Sequence, residues 1–176
     1  MKKKSRYLLS FTFLLLSPFA FSQEPTQLES TFNIDDVKWV KAAGNSSIQG
    51  KAFIKLKNKE TKGCAGFGVE LLPAATYANE RILKTYGNND HGQILMEDNP
   101  PKFTPDAKEY HDMVIKTKCN TNNEFTFNNI SAGEYYVIGF IIWDKNENGK
   151  TVKAGGGVMK KVKVAANSSA EAILNF

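Results

Sequence analysis

The chain has 176 residues, of which 41% are hydrophobic and 11% aromatic, with 23 Lys and Arg against 18 Asp and Glu and a pI near 9.1. This length suits a single globular domain with a hydrophobic core. The composition excludes a disordered acidic segment, and two cysteines are too few for a disulfide-dense mini-protein or a four-cysteine zinc site. The basic excess is the one compositional feature that indicates a partner, either nucleic acid or anionic lipid.

The first 22 residues have the pattern of a secretory signal peptide. A basic start precedes an apolar run from Tyr7 to Phe21, and this run is shorter than the roughly 20 residues that a membrane-spanning helix needs. The small residues Ala20 and Ser22 suit the signal peptidase, so the sequence predicts cleavage between Ser22 and Gln23. The mature protein is therefore predicted to be periplasmic or secreted, with no transmembrane segment.

Cleavage at this point also changes the charge of the chain. The first 22 residues contain four basic side chains and no acidic one, so their removal lowers the nominal charge from +5 to about +1. The compositional indication of a nucleic-acid partner is lost with them, and none is predicted.

Cys64 and Cys119 are the two cysteines of the chain, and in an oxidising compartment such a pair usually joins. The alternative is a redox-active or nucleophilic thiol. The chain has no Cys-x-x-Cys motif, and neither histidine is next to a cysteine in the sequence. We therefore predict a disulfide.

An N-terminal leader is predicted over residues 23–47, and its first part, residues 24–34, is expected to be loosely held. After it, period-two alternation of apolar and polar residues predicts the strands of a β-sandwich. The nine residues from Tyr135 to Trp143 carry no charge and are predicted to form a central strand buried on both faces. Gly, Asn and Pro turns separate the strands, a spacing that predicts an all-β sandwich rather than βαβ units. The predicted strands are 48–57, 67–73, 113–119, 125–127, 135–143, 158–164 and 172–176.

Residues 74–111 interrupt this alternation and are predicted to form a helix-and-loop insertion. A helix is expected from Ala74 to Tyr86, with Thr76 as its N-cap and Gly87 as its stop. The prolines and turn residues that follow predict an extended surface loop. Long loops on a rigid sandwich often carry binding functions, so this insertion is expected to form the distinctive surface of the protein.

Two segments resemble a known family. The run from Cys64 to Tyr77, and the run from Glu124 to Val137 with its F-x-F, its small-Gly turn and its tyrosine-led strand, resemble the bacterial carboxypeptidase regulatory-like domains. The resemblance implies a transthyretin-like or immunoglobulin-like β-sandwich over residues 48–176. Many members have Asp-x-x-Gly where this chain has Asn120–Asn123, and proline where it has Ser131. Because the family includes accessory, adhesive and stalk modules, the resemblance implies a fold and no particular activity.

The second of these segments can also be interpreted from its residues alone. Phe125 and Phe127 fall on one face of the predicted strand, so we expect Phe127 to lie in the core. Gly133 is expected to allow a positive φ in the turn that follows.

A metal site is weakly indicated. His91 and His111 are the two histidines, and with Glu97 and Asp112 they could form a site in the insertion. The chain has no H-x-x-E or H-x-x-x-H spacing, whereas a catalytic zinc usually has three protein ligands. Solvated loop histidines are the favoured interpretation, and no cofactor is predicted.

Asp144–Gly149 matches the first half of an EF-hand calcium loop, with oxygen ligands at alternate positions and glycine at the sixth. The twelfth position should be a bidentate Glu and is Gly155 instead. We therefore predict that this segment is the tip of a β-hairpin.

Three other features have structural and functional interpretations. Gly155–Gly157 is not followed by a helix or by Lys-Ser/Thr, so a bulge or a close-packed strand entry is favoured over a phosphate cradle. The lysines at 160, 161 and 163 favour a solvated edge strand over an anion-binding patch. Four aromatic residues could form either a platform for a glycan or peptide or part of the core: Trp39, Trp143, Tyr135 and Tyr136.

Together these patterns predict an exported, non-catalytic binding module or envelope-associated accessory protein whose ligand is a protein, peptide or glycan. The alternative is a small periplasmic hydrolase or metal-dependent enzyme that uses the insertion at 74–111. Clustering of the histidines with acidic residues in one pocket would favour the enzyme, whereas scattered histidines would favour the binding module.

Overall fold

The computed structural model describes residues 24–176, so the predicted signal peptide and its cleavage site between Ser22 and Gln23 lie outside the described residues. Within 24–176, no helix combines the length and the hydropathy needed to cross a bilayer. The strands are β1 Thr26–Gln27, β2 Ser46–Lys55, β3 Thr61–Gly63, β4 Gly68–Pro73, β5 His91–Leu95, β6 Phe103–Thr104, β7 Ile115–Lys118, β8 Glu124–Ile130, β9 Gly133–Glu147, β10 Lys150–Val164 and β11 Ser169–Asn175. The α-helices are α1 Thr76–Tyr86 and α2 Lys108–Asp112, and the 3₁₀ helices are Ile34–Asp36, Lys38–Lys41 and Met96–Asp98.

Two sheets pack against each other and form the predicted all-β sandwich. One sheet has five strands in the order β5-β10-β9-β4-β7, with every neighbouring pair antiparallel. In the other, β2 pairs in parallel with β11 along one edge and antiparallel with β8 and then β3 along the other. A short parallel pair of β1 and β6 lies outside both sheets.

The long hairpin of β9 and β10 is the backbone of the five-stranded sheet. Its strands pair without interruption, with Gly133 opposite Val164 at one end and Glu147 opposite Lys150 at the other. Asn148 and Gly149 form the two-residue turn, with φ values of 52° and 78°. Both residues have the positive φ that a type I′ hairpin turn requires, which explains the Asn-Gly pair. The hairpin tip predicted for Asp144–Gly149 is therefore confirmed.

Alternation along β9 divides the buried side chains between two cores. Tyr135, Val137 and Ile141 face the four-stranded sheet in the main core, whereas Tyr136 and Ile138 pack beneath helix α1 in a second core. β9 is thus the predicted central strand, buried on both faces over its first half. Farther along, Phe140 and Ile142 on the outer face are 40% and 42% exposed, because helix α1 does not extend over them.

The disulfide between Cys64 and Cys119 is present and buried in the main core. Cys64 follows β3 of the four-stranded sheet and precedes β4 of the five-stranded one, while Cys119 lies on the return connection between β7 and β8. The bond therefore joins two of the connections by which the chain crosses between the sheets, β3 to β4 and β7 to β8.

The insertion has more regular structure than the sequence predicts. Helix α1 ends as expected at Gly87, whose φ of 79° is left-handed, but its N-cap is Ala75 and Thr76 is its first residue. The extended loop expected at Asn88–Ala107 is wrong in part, because β5, the 3₁₀ helix Met96–Asp98 and β6 lie within it. Strand β5 pairs with Gly156–Lys160 of β10 and completes the five-stranded sheet.

The leader also differs from expectation, because it is held against the sandwich. The Glu80 carboxylate of helix α1 accepts hydrogen bonds from the Glu29 and Ser30 amides at 2.9 and 2.8 Å, and Phe32 packs edge-on against Tyr77. The buried side chain of Val40 joins the main core. The loose start predicted for residues 24–34 is therefore wrong.

Gly133 has a different role from the one predicted. It is not among the residues with positive φ. A Cβ at this position would lie 2.4 Å from the Trp39 ring, so glycine allows the indole to pack directly on the start of β9.

Candidate functional site

A cleft of about 790 Å³ opens at the end of the sandwich where the β9–β10 hairpin extends past the four-stranded sheet. Three segments form its walls: the hairpin, the turn between β2 and β3, and the end of β5 with the 3₁₀ helix after it. The lining residues are Leu56, Lys57, Asn58, Glu60, Lys62, Leu95, Met96, Glu97, Trp143–Glu147 and Val152–Gly155.

The hairpin forms the cleft because it is longer than the strands opposite it. Strand β2 ends at Lys55, and the Lys55 amide and carbonyl bind the side-chain amide of Gln93 instead of a further strand, at 3.3 and 2.9 Å. Beyond this point the inner face of the hairpin has no sheet opposite it. Gln93 therefore fixes β5 against the end of β2, and the cleft begins directly after this contact.

Trp143 provides the aromatic surface of the cleft. It lies directly across from Ala154 in the hairpin, and its side chain is partly buried against the main core together with Leu56 and Leu95. The cleft is thus lined in part by an indole that apolar neighbours hold in place.

The other aromatic residues of the predicted platform are elsewhere. Trp39 packs against Tyr135 with ring centroids 5.3 Å apart, at the opposite end of β9, and Tyr135 is fully buried. Tyr136 is also fully buried and donates a hydrogen bond from its hydroxyl to Asn79 of helix α1 at 2.7 Å. Of the four candidates, only Trp143 lines the cleft, whereas Tyr135 and Tyr136 are core residues and Trp39 is partly buried against the main core.

The rim of the cleft is charged, and most of its charges are paired. The Lys145 ammonium lies between two carboxylates, 2.9 Å from Glu147 and 3.4 Å from Glu97, and these contacts hold the pKa of Lys145 above its usual value. Lys153 pairs with Asp144 at 2.7 Å. The Lys145–Glu97 contact connects the hairpin tip to the 74–111 insertion, so the insertion contributes to the cleft.

The turn between β2 and β3 forms the opposite rim. The Asn58 side chain accepts a hydrogen bond from the Glu60 amide at 3.0 Å, and Glu60 pairs with Lys62. Hydrogen bonds from Lys62 and Asn58 lower the pKa of Glu60. The sequence analysis did not select these residues, although the Asn-Lys-Glu run marks a polar turn.

The histidines are apart from each other and from the cleft. His91 contacts Asp90 and stacks near Phe176 with ring centroids 4.6 Å apart, whereas His111 pairs with Asp106 at 2.8 Å. Asp112, the fourth member of the proposed metal set, pairs with Lys108.

Of the four members of that set, Glu97 alone lines the cleft. Across residues 24–176 there is no group of three or more His, Cys, Asp or Glu side chains that could hold a metal ion. The two histidines are thus scattered rather than clustered with acidic residues in one pocket.

The glycine run and the lysine cluster have structural roles in β10. A Cβ at Gly156 would lie 2.4 Å from the Ile94 carbonyl, and one at Gly157 would lie 2.8 Å from the Tyr86 hydroxyl, which confirms the close-packed interpretation. Only part of the lysine cluster lies on a free edge of the sheet. Lys160 pairs with β5 and the Lys161 amide donates to the Asp90 carbonyl, while farther along the side chains at 161 and 163 contact Glu134.

Comparison with known proteins gives one informative similarity. No protein-family model matches the chain, and no curated protein matches it. A crystal structure from Pseudomonas aeruginosa, of a protein described as a "putative carbohydrate binding protein", matches with a TM-score of 0.69 and 21% sequence identity, covering 84% of this chain and 99% of the other. At this level of identity the similarity shows that the two chains share the all-β sandwich fold.

Proposed function

We propose that this protein is a carbohydrate-binding module and that its glycan ligand lies in the cleft with a sugar ring against Trp143. The observation that carries the proposal is the partly buried indole that lines an open cleft whose walls bear amide, carboxylate and ammonium groups. Binding sites commonly combine an apolar or aromatic surface with a few convergent polar groups.

The chemistry of a sugar suits this arrangement. A pyranose ring has an apolar face of C–H groups, which packs on an aromatic ring, and a rim of hydroxyls that both donate and accept hydrogen bonds. Here Asn58 and Asn146 offer amides, Glu97 offers acceptors and Lys145 offers donors. The ion pairs and the turn hydrogen bonds already orient many of these side chains, which reduces the entropy lost on binding.

The structural similarity supports the same proposal. The Pseudomonas aeruginosa protein is described as a "putative carbohydrate binding protein", and the structural match covers nearly all of its chain and most of this one. Because function depends on the site rather than on the fold, we rest the proposal on the cleft and use the similarity only as support.

We also propose that the protein is exported and acts in the cell envelope or outside the cell. The buried disulfide between Cys64 and Cys119 supports this, since such bonds persist in oxidising compartments. The signal-peptide pattern of residues 1–22 points to the same compartment. We retain the resemblance to carboxypeptidase regulatory-like domains as a proposal, in keeping with an accessory module.

The test uses Trp143→Ala and, as a matched control, Phe140→Ala. Phe140 is an exposed aromatic residue of the same strand, but it lies on the outer face and does not line the cleft. After a glycan-array screen with the wild-type protein, calorimetry with the best oligosaccharide should give a loss of affinity of about tenfold or more for Trp143→Ala. Phe140→Ala should bind like the wild type.

Two outcomes would overturn the proposal. One is the absence of any binding on an array of neutral and acidic glycans. The other is a glycan that binds equally well to the wild type and to Trp143→Ala, because the ligand would then lie outside the cleft.

A further inference from the structure

We propose, on the basis of the proposed function, that the cleft selects an uncharged saccharide over acidic ones such as uronic acid polymers. The charges on its walls carry this inference. Four lysines and four carboxylates line the cleft and balance to zero: Lys57, Lys62, Lys145 and Lys153 against Glu60, Glu97, Asp144 and Glu147.

Most of these charges also form ion pairs with one another. Each of the four carboxylates contacts a lysine, and Lys145 is shared by two of them. Lys57 is the one cleft lysine without a carboxylate partner in the part of the chain that is described here. A single exposed lysine is a weak anion site, because solvent and salt screen its charge.

A charged ligand would have to break these contacts. An acidic sugar that approached Lys145 would compete with Glu97 and Glu147 and would be repelled by both carboxylates. A cationic sugar would meet the corresponding opposition from the lysines.

A neutral sugar faces no such cost. An ammonium group has three donors and a carboxylate has about four acceptor sites, so each paired group keeps free capacity for hydroxyl groups. Hydrogen bonds to charged groups are the stronger kind, so a neutral ligand gains from the charges without disturbing the pairs.

The first measurement is the salt dependence of binding. For a neutral oligosaccharide that binds wild-type protein, the Kd should change by less than about twofold between about 50 and 500 mM NaCl, because no charge is neutralised on binding. Acidic oligosaccharides of the same length, such as oligogalacturonate, should bind at least about tenfold more weakly than the neutral ligand, even at low salt.

The second measurement removes the two carboxylates around Lys145. Glu97→Gln and Glu147→Gln together should give the cleft measurable affinity for oligogalacturonate that disappears at high salt. Both side chains are more than half exposed, so the variant should fold normally. The control is Asp35→Asn with Asp112→Asn, which makes the same charge change at residues outside the cleft and should leave glycan binding unchanged.

The outcomes separate this inference from the proposed function. If an acidic glycan binds the wild type best, with steep salt dependence and loss in Trp143→Ala, the cleft binds carbohydrate but the selection for uncharged ligands is wrong. If the double Gln variant gains no more affinity for oligogalacturonate than the control, the proposed role of the two carboxylates is wrong. If no glycan binds, the proposed function fails and the inference fails with it.

Discussion

At the scale of single residues, Glu80 shows how one side chain holds a whole segment in place. Its carboxylate accepts hydrogen bonds from the Ser30 hydroxyl and from the amides of Ser30 and Glu29. These bonds, led by that of the Ser30 hydroxyl, lower the pKa of Glu80 to about 2. They stabilise the ionised form, so the contribution of these hydrogen bonds to holding the leader depends on the charge of this carboxyl.

The linkage between charge and folding predicts a pH dependence. Glu80 has a lower pKa in the folded state than in the unfolded one, so its contribution is full above about pH 4.5 and is lost as the pH falls toward about 2. Glu80→Gln should therefore be less stable than the wild type at pH 7, and the difference should shrink through this window. Urea denaturation at steps from pH 7 to pH 2.5 measures it.

The control for this experiment is Glu171→Gln, on the exposed face of β11, for which the described residues show no ion pair. It should follow the wild-type pH profile. If the Glu80 and Glu171 variants have the same profile, Glu80 does not fasten the leader.

Phe127 and Phe140 give a second comparison between single residues. Phe127 is 3% exposed and belongs to the main core, whereas Phe140 is 40% exposed. Phe127→Ala should lower the free energy of unfolding by about 3–5 kcal/mol, because it removes buried area and leaves a cavity. Phe140→Ala should cost much less, and equal losses in chemical denaturation would contradict the assignment of Phe127 to the core.

At the scale of elements, the sequence predicts strands well where their own alternation defines a buried face. Although β10 begins at Lys150, eight residues before its predicted start at Val158, strands β2, β4, β8 and β9 and helix α1 lie close to where they are expected. All of these elements contain such patterns. Strand β5 does not, because its residues His91, Gly92 and Gln93 are polar or small and its position depends on pairing with β10. A strand whose stability comes from its neighbour leaves little signal in its own sequence.

The candidate site is predictable only in part for a related reason. Trp143 could be selected as an aromatic candidate from its place at the end of an apolar strand. Asn58 and Glu97, which line the same cleft, come from a turn and a 3₁₀ helix far away in the sequence, and only the register of the strands brings them together. No local pattern contains this information, so the structure was needed to identify them.

The disulfide leads to a prediction about the connections between elements. The two cysteines are 55 residues apart in the sequence and join two of the connections that cross between the sheets. Replacing them together, Cys64→Ser with Cys119→Ser, should lower the free energy of unfolding by about 2–5 kcal/mol, since the unfolded chain is then less restricted. Urea denaturation measures this loss, and mass spectrometry of the native protein should detect no free thiol. Two free thiols in protein purified from the periplasm would contradict the assignment.

At the scale of the whole molecule, the charge of the first residues differs from that of the rest of the chain. The basic excess of the complete sequence comes mainly from the first six residues, and the remainder is close to neutral. Within the described part, charges occur mostly as pairs across strands and turns, including those of the cleft. Nothing in this distribution favours steering of a strongly charged ligand over long distances.

The pairing of β2 with β11 has a consequence for how the chain reaches this structure. Ser47 and Ser169 are neighbours in the sheet, with hydroxyls 3.0 Å apart, but they are separated by 122 positions along the chain. During synthesis, one edge of β2 therefore stays open until the segment at 169–175 has been made. An open strand edge is where incompletely folded copies join one another. We expect aggregation during refolding to be the main competitor of correct folding, and to slow refolding at high protein concentration.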